Sequence, residues 1–487
     1  MSNLPDKFTD RRQKMVMIAV RSMGDRSTLV RRNSIKLLSK LVLTNPFSTN
    51  LTSQLLYDIW KKKCDEAQAE LEALLPKAIN GDQDVQDEED TGRSAAENDE
   101  DDDMDIDEKE EDDGDEDDVD INVNEDVEKE EENTKEIELS VENAEEIDIN
   151  ILMKLKLTYQ YYHDAVEFIE LVEEGIKGAS QLLFSKSRNE VLESMDFLVL
   201  GDAYNIRHSD AGIRRMLHLV WMKGSSDEGK SIASHLIDCY KSLFFSAPST
   251  MSRVQQATFI AKNLMNLTTS ATVADLASLE KLLCLIYEAG IVAQDVIQVL
   301  WQVYAYVDHE SSESEDVMNE SRTKNRQAII ILGMFALADN SIVIKGLDSL
   351  LSIGLGEMGR NDTVLAKYSC IAIQRLIPLK MLLPIDIPKE DSIIEKLKGA
   401  LLDYSEDLDW YNVAEEAIGA LFQISSEPEN VASIIIVEKS KRVFAEESSG
   451  DDSELAVVAL SQLLFIVGHI AIKTIVYLEK LETQFKK

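Results

Sequence analysis

The chain has 487 residues, of which 44% are hydrophobic, so it is long enough for several domains or for one extended repeat array. Its formal net charge is −41, but residues 82–148 alone contribute −32, and the remainder is only mildly acidic. The four cysteines lie far apart, without disulfide-framework or zinc-ligand spacing, which excludes a disulfide-stapled secreted domain. The eight prolines largely avoid helical patterns and alternating apolar runs are few, so we expect an all-α fold.

The first strong element lies at residues 25–47, DRSTLVRRNSIKLLSKLVLTNPF, where apolar residues recur with helical period. Small residues in mid-stripe followed by large aliphatic residues return at 364–378 and at 410–424. This order is typical of the second helix of a HEAT-type helix pair. Because one such pair cannot bury its own apolar face, the pairs must stack on one another. The sequence therefore predicts a HEAT-repeat α-solenoid, a superhelix of antiparallel helix pairs.

Composition divides the chain into three predicted parts. Residues 1–79 are predicted to form N-terminal HEAT-type helices. Residues 80–149 have little apolar content and dense like charge, so they cannot bury enough surface to offset the entropy of ordering, and we expect a disordered acidic insert. Two roles stay open for this insert: a solvated spacer, or a segment that mimics nucleic acid or binds histones. Residues 150–487 are predicted to be a HEAT-repeat solenoid with pairs recurring roughly every 40 residues.

Residues 224–231, GSSDEGKS, match the phosphate-binding pattern G-x-x-x-x-G-K-[ST]. Such a loop cradles phosphates only when a buried strand leads into it. The apolar residues between 213 and 220 instead follow helical spacing. We therefore interpret the motif as a turn between helices, in which Ser226 or Asp227 caps the next helix, and we expect no nucleotide or other cofactor.

No catalytic or metal-binding pattern is recognisable in the sequence. The six histidines form no HExxH pair and no cluster with cysteine by spacing, and no GxSxG turn occurs. Paired acids are common, but they lie on helix faces that we expect to be solvated. The chain is therefore predicted to have no enzyme activity, no catalytic residue, no metal site and no small-molecule substrate.

One apolar stretch, Leu455–Ile472, contains eighteen residues without a formal charge and lies at the lower limit of membrane-spanning length. Ser461, Gln462 and His469 make this stretch more polar than most membrane spans. We favour a solenoid helix that is covered on both sides, and we expect no contact with a membrane.

Basic side chains are the better functional candidates, because they stand out in an acidic chain. The candidate contacts to DNA or to a partner protein are Arg31, Arg32, Lys61, Lys62, Lys63, Arg214, Arg215, Arg322, Lys324 and Arg326. Structural roles compete with this interpretation. Arg31 follows the valine of the repeat and is expected to pair with Asp25, as stacked repeats often do, while the three lysines are also consistent with an exposed helix face. Contacts to phosphate would make the affinity for DNA salt-dependent.

Several long segments resemble the condensin complex subunit 1 family, the non-SMC regulatory HEAT-repeat subunits of condensin. The segments are DRSTLVRRNSIKLLSKLVLTNPF, VLESMDFLVLGDAYNI, GIRRMLHLVW followed by DEGKSIASHLIDCYKSLFF, and SQLLFIVGHIAIKTIVYLEK. The segments occur in the same order as in family members, from about residue 10 to the end of the sequence, apart from the acidic insert. The compact form suggests a fungal member. Family members are much longer, so we interpret the sequence as a partial chain without capping repeats, which we expect to be poorly soluble alone.

The resemblance implies a non-catalytic scaffold that binds the kleisin subunit and docks near the SMC ATPase heterodimer. It also implies a part in DNA engagement and mitotic chromosome condensation, and it leaves open whether the contact with chromatin or DNA is direct. The implied location is the nucleus and its chromosomes, and also the cytoplasm. Because the ATPase would belong to the SMC partners, this agrees with our interpretation of residues 224–231.

The alternative is another HEAT or armadillo-type binding scaffold, such as a nuclear transport receptor. Armadillo-type cargo receptors repeat Trp and Asn along their inner groove. The tryptophans of this chain are Trp60, Trp221, Trp301 and Trp410, and none is followed by Asn four residues later. The alternative is therefore less favoured, although the fold by itself does not choose the partner.

Overall fold

Helices connected by short turns make up the parts of the chain that the structure, a computed structural model, describes: residues 9–47, 54–74, 149–222, 227–306, 315–377, 389–446 and 453–486. No strand occurs in those ranges, and the predicted all-α fold is confirmed. The predicted acidic insert, 80–149, lies outside the described residues except for its last position. The loop residues 224–226 of the GSSDEGKS motif lie outside them too.

Nine helices precede residue 290 in the described ranges. They are α1 (Thr9–Ser22), α2 (Thr28–Leu43), α3 (Tyr57–Leu74), α4 (Ile149–Leu182), α5 (Arg188–Ala203), α6 (Ser209–Met216), α7 (Asp227–Phe244), α8 (Arg253–Leu267) and α9 (Val273–Glu288). A 3₁₀ turn, Leu217–Trp221, follows α6. The residues ahead of the GSSDEGKS motif are therefore helical, as their spacing predicted, and the described part of the motif begins α7.

Nine further helices follow in the described ranges. They are α10 (Gln294–Tyr304), α11 (Glu315–Ala336), α12 (Ser341–Ser349), α13 (Glu357–Arg360), α14 (Thr363–Gln374), α15 (Glu390–Leu402), α16 (Trp410–Ile424), α17 (Pro428–Glu446) and α18 (Ser453–Phe485). A π-helical turn, Leu350–Gly354, joins α12 to the segment before α13. Such a turn is rare and adds one residue per turn, so it redirects the chain between helices.

The chain forms two compact units, residues 1–62 with 162–487, and residues 63–161. In the first unit, α2, α5, α7, α9, α11, α14, α16 and α18 pack on one another in succession and form what we call the first row. Seven of the helices between them pack against the first row: α6, α8, α10, α12, α13, α15 and α17. Within this set, α8 also packs on α10, and α15 on α17. This alternation of paired helices is that of a HEAT-type α-solenoid. The described part of the second unit contains the end of α3, with Cys64 and Ala67 buried, and the start of α4.

The helices that the sequence analysis selected as second helices of a pair are α2, α14 and α16, and all three belong to the first row. Small side chains at mid-helix let neighbouring helices approach closely. Gly333 in α11 faces Ala372 in α14, and a Cβ on the glycine would lie 3.8 Å from the Ala372 Cβ. Ser369 of α14 is fully buried, and its Oγ lies 3.0 Å from the Tyr304 hydroxyl of α10. The small residues in mid-stripe are therefore packing positions within the stack.

The helix α18 differs from the expectation of a segment covered on both sides. One face packs on α16 and α17, where the fully buried amide of Gln462 accepts from Lys439 Nζ at 3.2 Å and donates to the Ser405 carbonyl at 2.6 Å. The other face is apolar and more than half exposed at Val457, Leu464, Ile472, Ile475 and Leu478. Within the described residues, Val457–Thr483 is long and apolar enough to cross a membrane by length and composition alone. The expectation of coverage on both sides is wrong for this chain.

Candidate interaction surfaces and a polar cluster

The basic candidates lie on four helices, and the structure separates those engaged within the fold from those that face solvent. Arg31, near the start of α2, forms an ion pair with the fully buried carboxylate of Glu190 in α5, with 2.8 Å between Nε and Oε1. Its Nη1 donates to the backbone carbonyl of Asp25 at 2.7 Å. The Asp25 carboxylate instead accepts from the Ser27 N–H. The predicted pairing of Arg31 with the Asp25 side chain is therefore wrong, because Glu190 supplies the carboxylate.

Arg32 lies beside Arg31 and extends the same junction. Its Nε is 3.6 Å from Oε1 of Glu193, which also pairs with Lys36 Nζ at 3.0 Å. Both arginines consequently hold α2 against α5. Their charge is compensated within the stack, which leaves little of it for DNA.

Arg214 and Arg215, at the end of α6, differ in their partners. The guanidinium of Arg214 donates to the backbone carbonyls of Thr269 and Ser270 at 3.1 and 3.0 Å, and so completes the C-terminal turn of α8. The guanidinium of Arg215 lies 5.5 Å from the centre of the Phe184 ring, as a cation–π contact. Carbonyl oxygens do not neutralise a cation, so both side chains keep a positive charge at an exposed position.

The α11 candidates point to different sides of one helix. Arg326 Nε donates to both carboxylate oxygens of Asp362, at 2.9 and 2.8 Å. Arg322 and Lys324 are exposed, and Lys324 Nζ lies 2.8 Å from Glu320 Oε1 one turn earlier. Such an exposed pair adds little stability, so Lys324 can exchange its partner at low cost.

Lys61, Lys62 and Lys63 are exposed on α3, as the sequence predicted for a charged helix face. Three consecutive lysines cover a wide arc of a helix, about 200° at 100° per residue. They present the densest run of positive charge among the ten candidates. Arg322 on α11 is exposed as well.

Sequence reasoning missed the arginine Arg207, which lies in the turn between α5 and α6. Its guanidinium donates to both oxygens of the buried Glu173 carboxylate, at 2.7 and 3.1 Å, and stacks on the Tyr57 ring at 3.6 Å. The sequence signal available was an acid on an otherwise apolar helix face. Because Glu173 is 34 residues away, spacing alone could not identify its partner.

A groove with a cavity volume of about 320 Å³ opens between the α13–α14 and α15–α16 pairs. Glycines and one tryptophan give it a shallow apolar lining: Gly354, Gly356, Gly359, Gly399 and Trp410. At its edge, Arg360 Nη2 lies 3.2 Å from Asp403 Oδ2. A Cβ at position 399 would meet no atom within 4 Å, so this wall of the groove is open. The groove can therefore receive an apolar side chain of a bound peptide.

A polar cluster of Asp196, His235 and Cys239 lies where α5 packs on α7. His235 Nε2 and Asp196 Oδ1 are 2.8 Å apart, and one ligand atom from each of the three residues lies within 4.8 Å of the other two. The hydrogen bond to Asp196, followed by that to Cys239, raises the pKa of His235 to about 10. The expectation that histidine and cysteine would not cluster is therefore corrected. The available signal was their spacing of four residues, which puts both on one face of a helix.

Three curated relatives of this chain share one name. Condensin complex subunit 1 of Saccharomyces cerevisiae is 43% identical over 500 residues, and its namesake in Schizosaccharomyces pombe is 35% identical over 525 residues. Each alignment covers 100% of this chain and 41% of the relative. Condensin complex subunit 1 of Xenopus laevis is 27% identical over 336 residues, with 67% and 24% covered. The chain thus spans about two fifths of the length of the yeast relatives that it matches.

No protein-family model matches the chain. Among solved structures, a crystal structure of a Kap121p mutant aligns with 98% of this chain and 47% of its own chain, at 12% identity. The TM-score of that alignment is 0.26, which is too low to bear on the fold.

Proposed function

Because the chain belongs to the condensin complex subunit 1 family, we propose that it is a non-catalytic HEAT-repeat scaffold of the condensin complex. In this proposal it binds the kleisin subunit and the SMC ATPase heterodimer and contributes to DNA engagement in mitotic chromosome condensation. It acts in the nucleus on chromosomes and is also present in the cytoplasm. Similarity over the whole of this chain to two fifths of two fungal members is the observation that carries the proposal.

The packing of the first unit supports a scaffold role. From α2 to α16, each helix of the first row packs on the next and buries apolar side chains, so the stack has a continuous core, while the second face of α18 stays apolar and exposed. Such a stack suits extended partners, because successive repeats present contacts along a line. The division into residues 1–79, an acidic insert at 80–149 and a solenoid at 150–487 is part of this proposal.

The groove beside Gly399 is the proposed contact for a kleisin segment. Its apolar floor would bury one side chain of the peptide, while the exposed Lys396 and the Arg360–Asp403 pair at its rim offer hydrogen bonds. Peptide grooves of this kind gain affinity from buried apolar anchors and specificity from a few polar groups at the rim.

The proposed DNA contacts are the exposed basic residues, Lys61, Lys62, Lys63 and Arg322, with Arg215 and Lys324 as secondary contacts. The arginines that pair with buried acids, Arg31 and Arg326, are assigned to the stack instead. Lysines bind phosphates by charge and carry no base specificity, so the expected binding is independent of DNA sequence and weakens with salt.

Copurification followed by DNA titration tests the proposal. The full chain is coexpressed with a kleisin fragment, and the purified complex is titrated with fluorescent duplex DNA at several salt concentrations. We expect a stoichiometric complex and an affinity for DNA that exceeds that of the chain alone. A chain that neither retains the kleisin fragment nor binds DNA at low salt would contradict the proposal.

A further inference from the structure

The polar cluster joins two neighbouring helices of the first row through side chains of metal-ligating chemistry. His235 and Cys239 lie one turn apart on α7 and therefore project from the same face. Asp196 projects from α5, which packs directly on α7. Thiolate, imidazole and carboxylate are the ligands that zinc takes in proteins, whereas magnesium and calcium take oxygen ligands only.

We propose that Asp196, His235 and Cys239 form a binding site for a divalent zinc ion, with water as the fourth ligand. Around a tetrahedral zinc ion, ligand atoms at 2.0–2.3 Å from the metal lie about 3.5 Å from one another. The three ligand atoms here already lie within 4.8 Å of one another, so small side-chain movements close the site. No rearrangement of α5 or α7 is needed.

The burial of the three side chains suits a small ion. Cys239 is 5% exposed at the base of the cluster, His235 is half-buried, and the Asp196 side chain is 57% exposed. The carboxylate thus stands at the solvent side, where a hydrated ion first arrives. A catalytic thiol–imidazole–carboxylate triad uses the same three groups, but a substrate could not reach a sulfur this deeply buried.

Binding has a defined proton balance. The ion displaces the proton of the Cys239 thiol and the proton that His235 holds against Asp196, and both protons pass to solvent. A metal bridge between α5 and α7 would link two helices of the first row. This site is independent of the proposed kleisin and DNA contacts, which lie on other helices.

Metal titration of the full chain tests the site. After removal of metal with a chelator, Zn²⁺ is titrated in competition with a chromophoric chelator, and Co²⁺ serves as the spectroscopic probe. We expect one Zn²⁺ per chain, and for Co²⁺ a thiolate-to-metal charge-transfer band with visible bands of a tetrahedral site. Binding of less than one equivalent, or Co²⁺ spectra without the thiolate band, would overturn the proposal.

Three variants distinguish this site from binding elsewhere. Cys239→Ser and Asp196→Asn are each expected to weaken Zn²⁺ binding at least tenfold. Because Asp196 is exposed, Asp196→Asn should fold even if substitution of the buried Cys239 disrupts the fold. Cys284→Ser, at a partly exposed cysteine of α9, is the matched control and should leave the affinity unchanged. Equal Zn²⁺ affinity of Asp196→Asn and the parent chain would contradict the assignment.

Discussion

Arg326 in α11 donates through Nε to both carboxylate oxygens of Asp362, at 2.9 and 2.8 Å, and thereby ties α11 to the start of α14. The same Asp362 carboxylate accepts from the Leu365 N–H at 2.9 Å and is the N-cap of α14. With 6% of its side chain exposed, Asp362 begins one helix and anchors its neighbour in the first row. Arg326, a sequence candidate for contact with DNA, is thus engaged in the stack.

We expect Asp362→Ala to lower the free energy of unfolding by more than the roughly 1 kcal/mol of a lost N-cap, because Arg326 also loses its carboxylate. Asp362→Ser keeps a capping oxygen and removes only the ion pair, so its cost should be smaller. Urea unfolding followed by circular dichroism measures both. Equal stabilities of the alanine variant and the parent would show that the contact contributes nothing.

Charge reversal of the α3 lysines, Lys61→Glu with Lys62→Glu and Lys63→Glu, should weaken DNA binding and flatten its dependence on salt. Each lost phosphate contact lowers the slope of log affinity against log salt by about 0.9 on duplex DNA. Fluorescence anisotropy at several salt concentrations gives both quantities.

The control for this triple variant reverses three other exposed lysines, Lys40, Lys441 and Lys480, and so has the same net charge. We expect its slope to stay close to that of the parent chain. If both triple variants lose affinity equally, the effect belongs to net charge and not to α3.

Filling the groove should block a peptide without harming the fold. In Gly399→Leu the new side chain meets no atom of the chain within 4 Å of its Cβ, and leucine is a better helix former than glycine. We therefore expect unchanged or higher thermal stability and at least tenfold weaker binding of the kleisin fragment. Gly468→Leu in α18 is the matched control, because its Cβ also meets nothing within 4 Å. If the two variants bound the kleisin fragment with equal affinity, the groove would not be the kleisin-binding site.

Gly346 in α12 is a position where even one methyl group should be costly. A Cβ there would lie 2.1 Å from the Trp301 ring of α10, far inside van der Waals contact. We expect Gly346→Ala to destabilise by about 1–3 kcal/mol, as overpacked cores do, despite the better helix propensity of alanine. Gly399→Ala, with open space at its Cβ, should instead be neutral or stabilising. Thermal melts of the two alanine variants provide the comparison, and equal melting temperatures would contradict the clash.

At acid pH, the Asp275 carboxylate at the start of α9 should no longer contribute to the free energy of unfolding. Burial raises the pKa of Asp275, but hydrogen bonds from the Thr272 backbone and side chain, with His218 nearby, lower it to below 3.8 overall. A lowered pKa in the folded state means that the ionised carboxylate stabilises the fold above pH 3.8, and that this is lost as the pH falls through the lowered value. Asp275→Asn should be less stable than the parent at neutral pH, and the difference should narrow with acid. If the difference in stability between Asp275→Asn and the parent did not change with pH, the ionised Asp275 carboxylate would not be what stabilises the fold.

Local patterns predicted the helices well, because the apolar residues of a helix's buried face recur with helical period within one short segment. The stripe of α2 and the mid-helix small residues of α14 and α16 identified members of one row. A short stretch of sequence does not identify which residue of another helix will pair with a given side chain. Arg31 has the nearby acid Asp25, yet its carboxylate comes from Glu190, 159 residues later.

Two further differences have the same origin. The apolar stripe of α18 predicts burial, but it does not state how many helices will cover it, and one face carries Leu464 at 63% exposure. The pairing of His235 with Cys239 is visible as a four-residue spacing, whereas Asp196 reaches them only through the packing of α5 on α7. The candidate lysines of α3 were predictable because their exposure depends on one helix alone.

The Arg31–Glu190 ion pair also bears on the order of folding during synthesis. Glu190 leaves the ribosome long after α2, and at elongation rates of about 5–20 residues per second the delay is roughly ten to thirty seconds. Throughout that interval the partner face of α2, with Ile35 and Leu38 completely buried in the finished protein, has not received α5. We therefore expect the nascent α2 segment to bind holding chaperones, and truncation before residue 190 should leave this segment prone to aggregation.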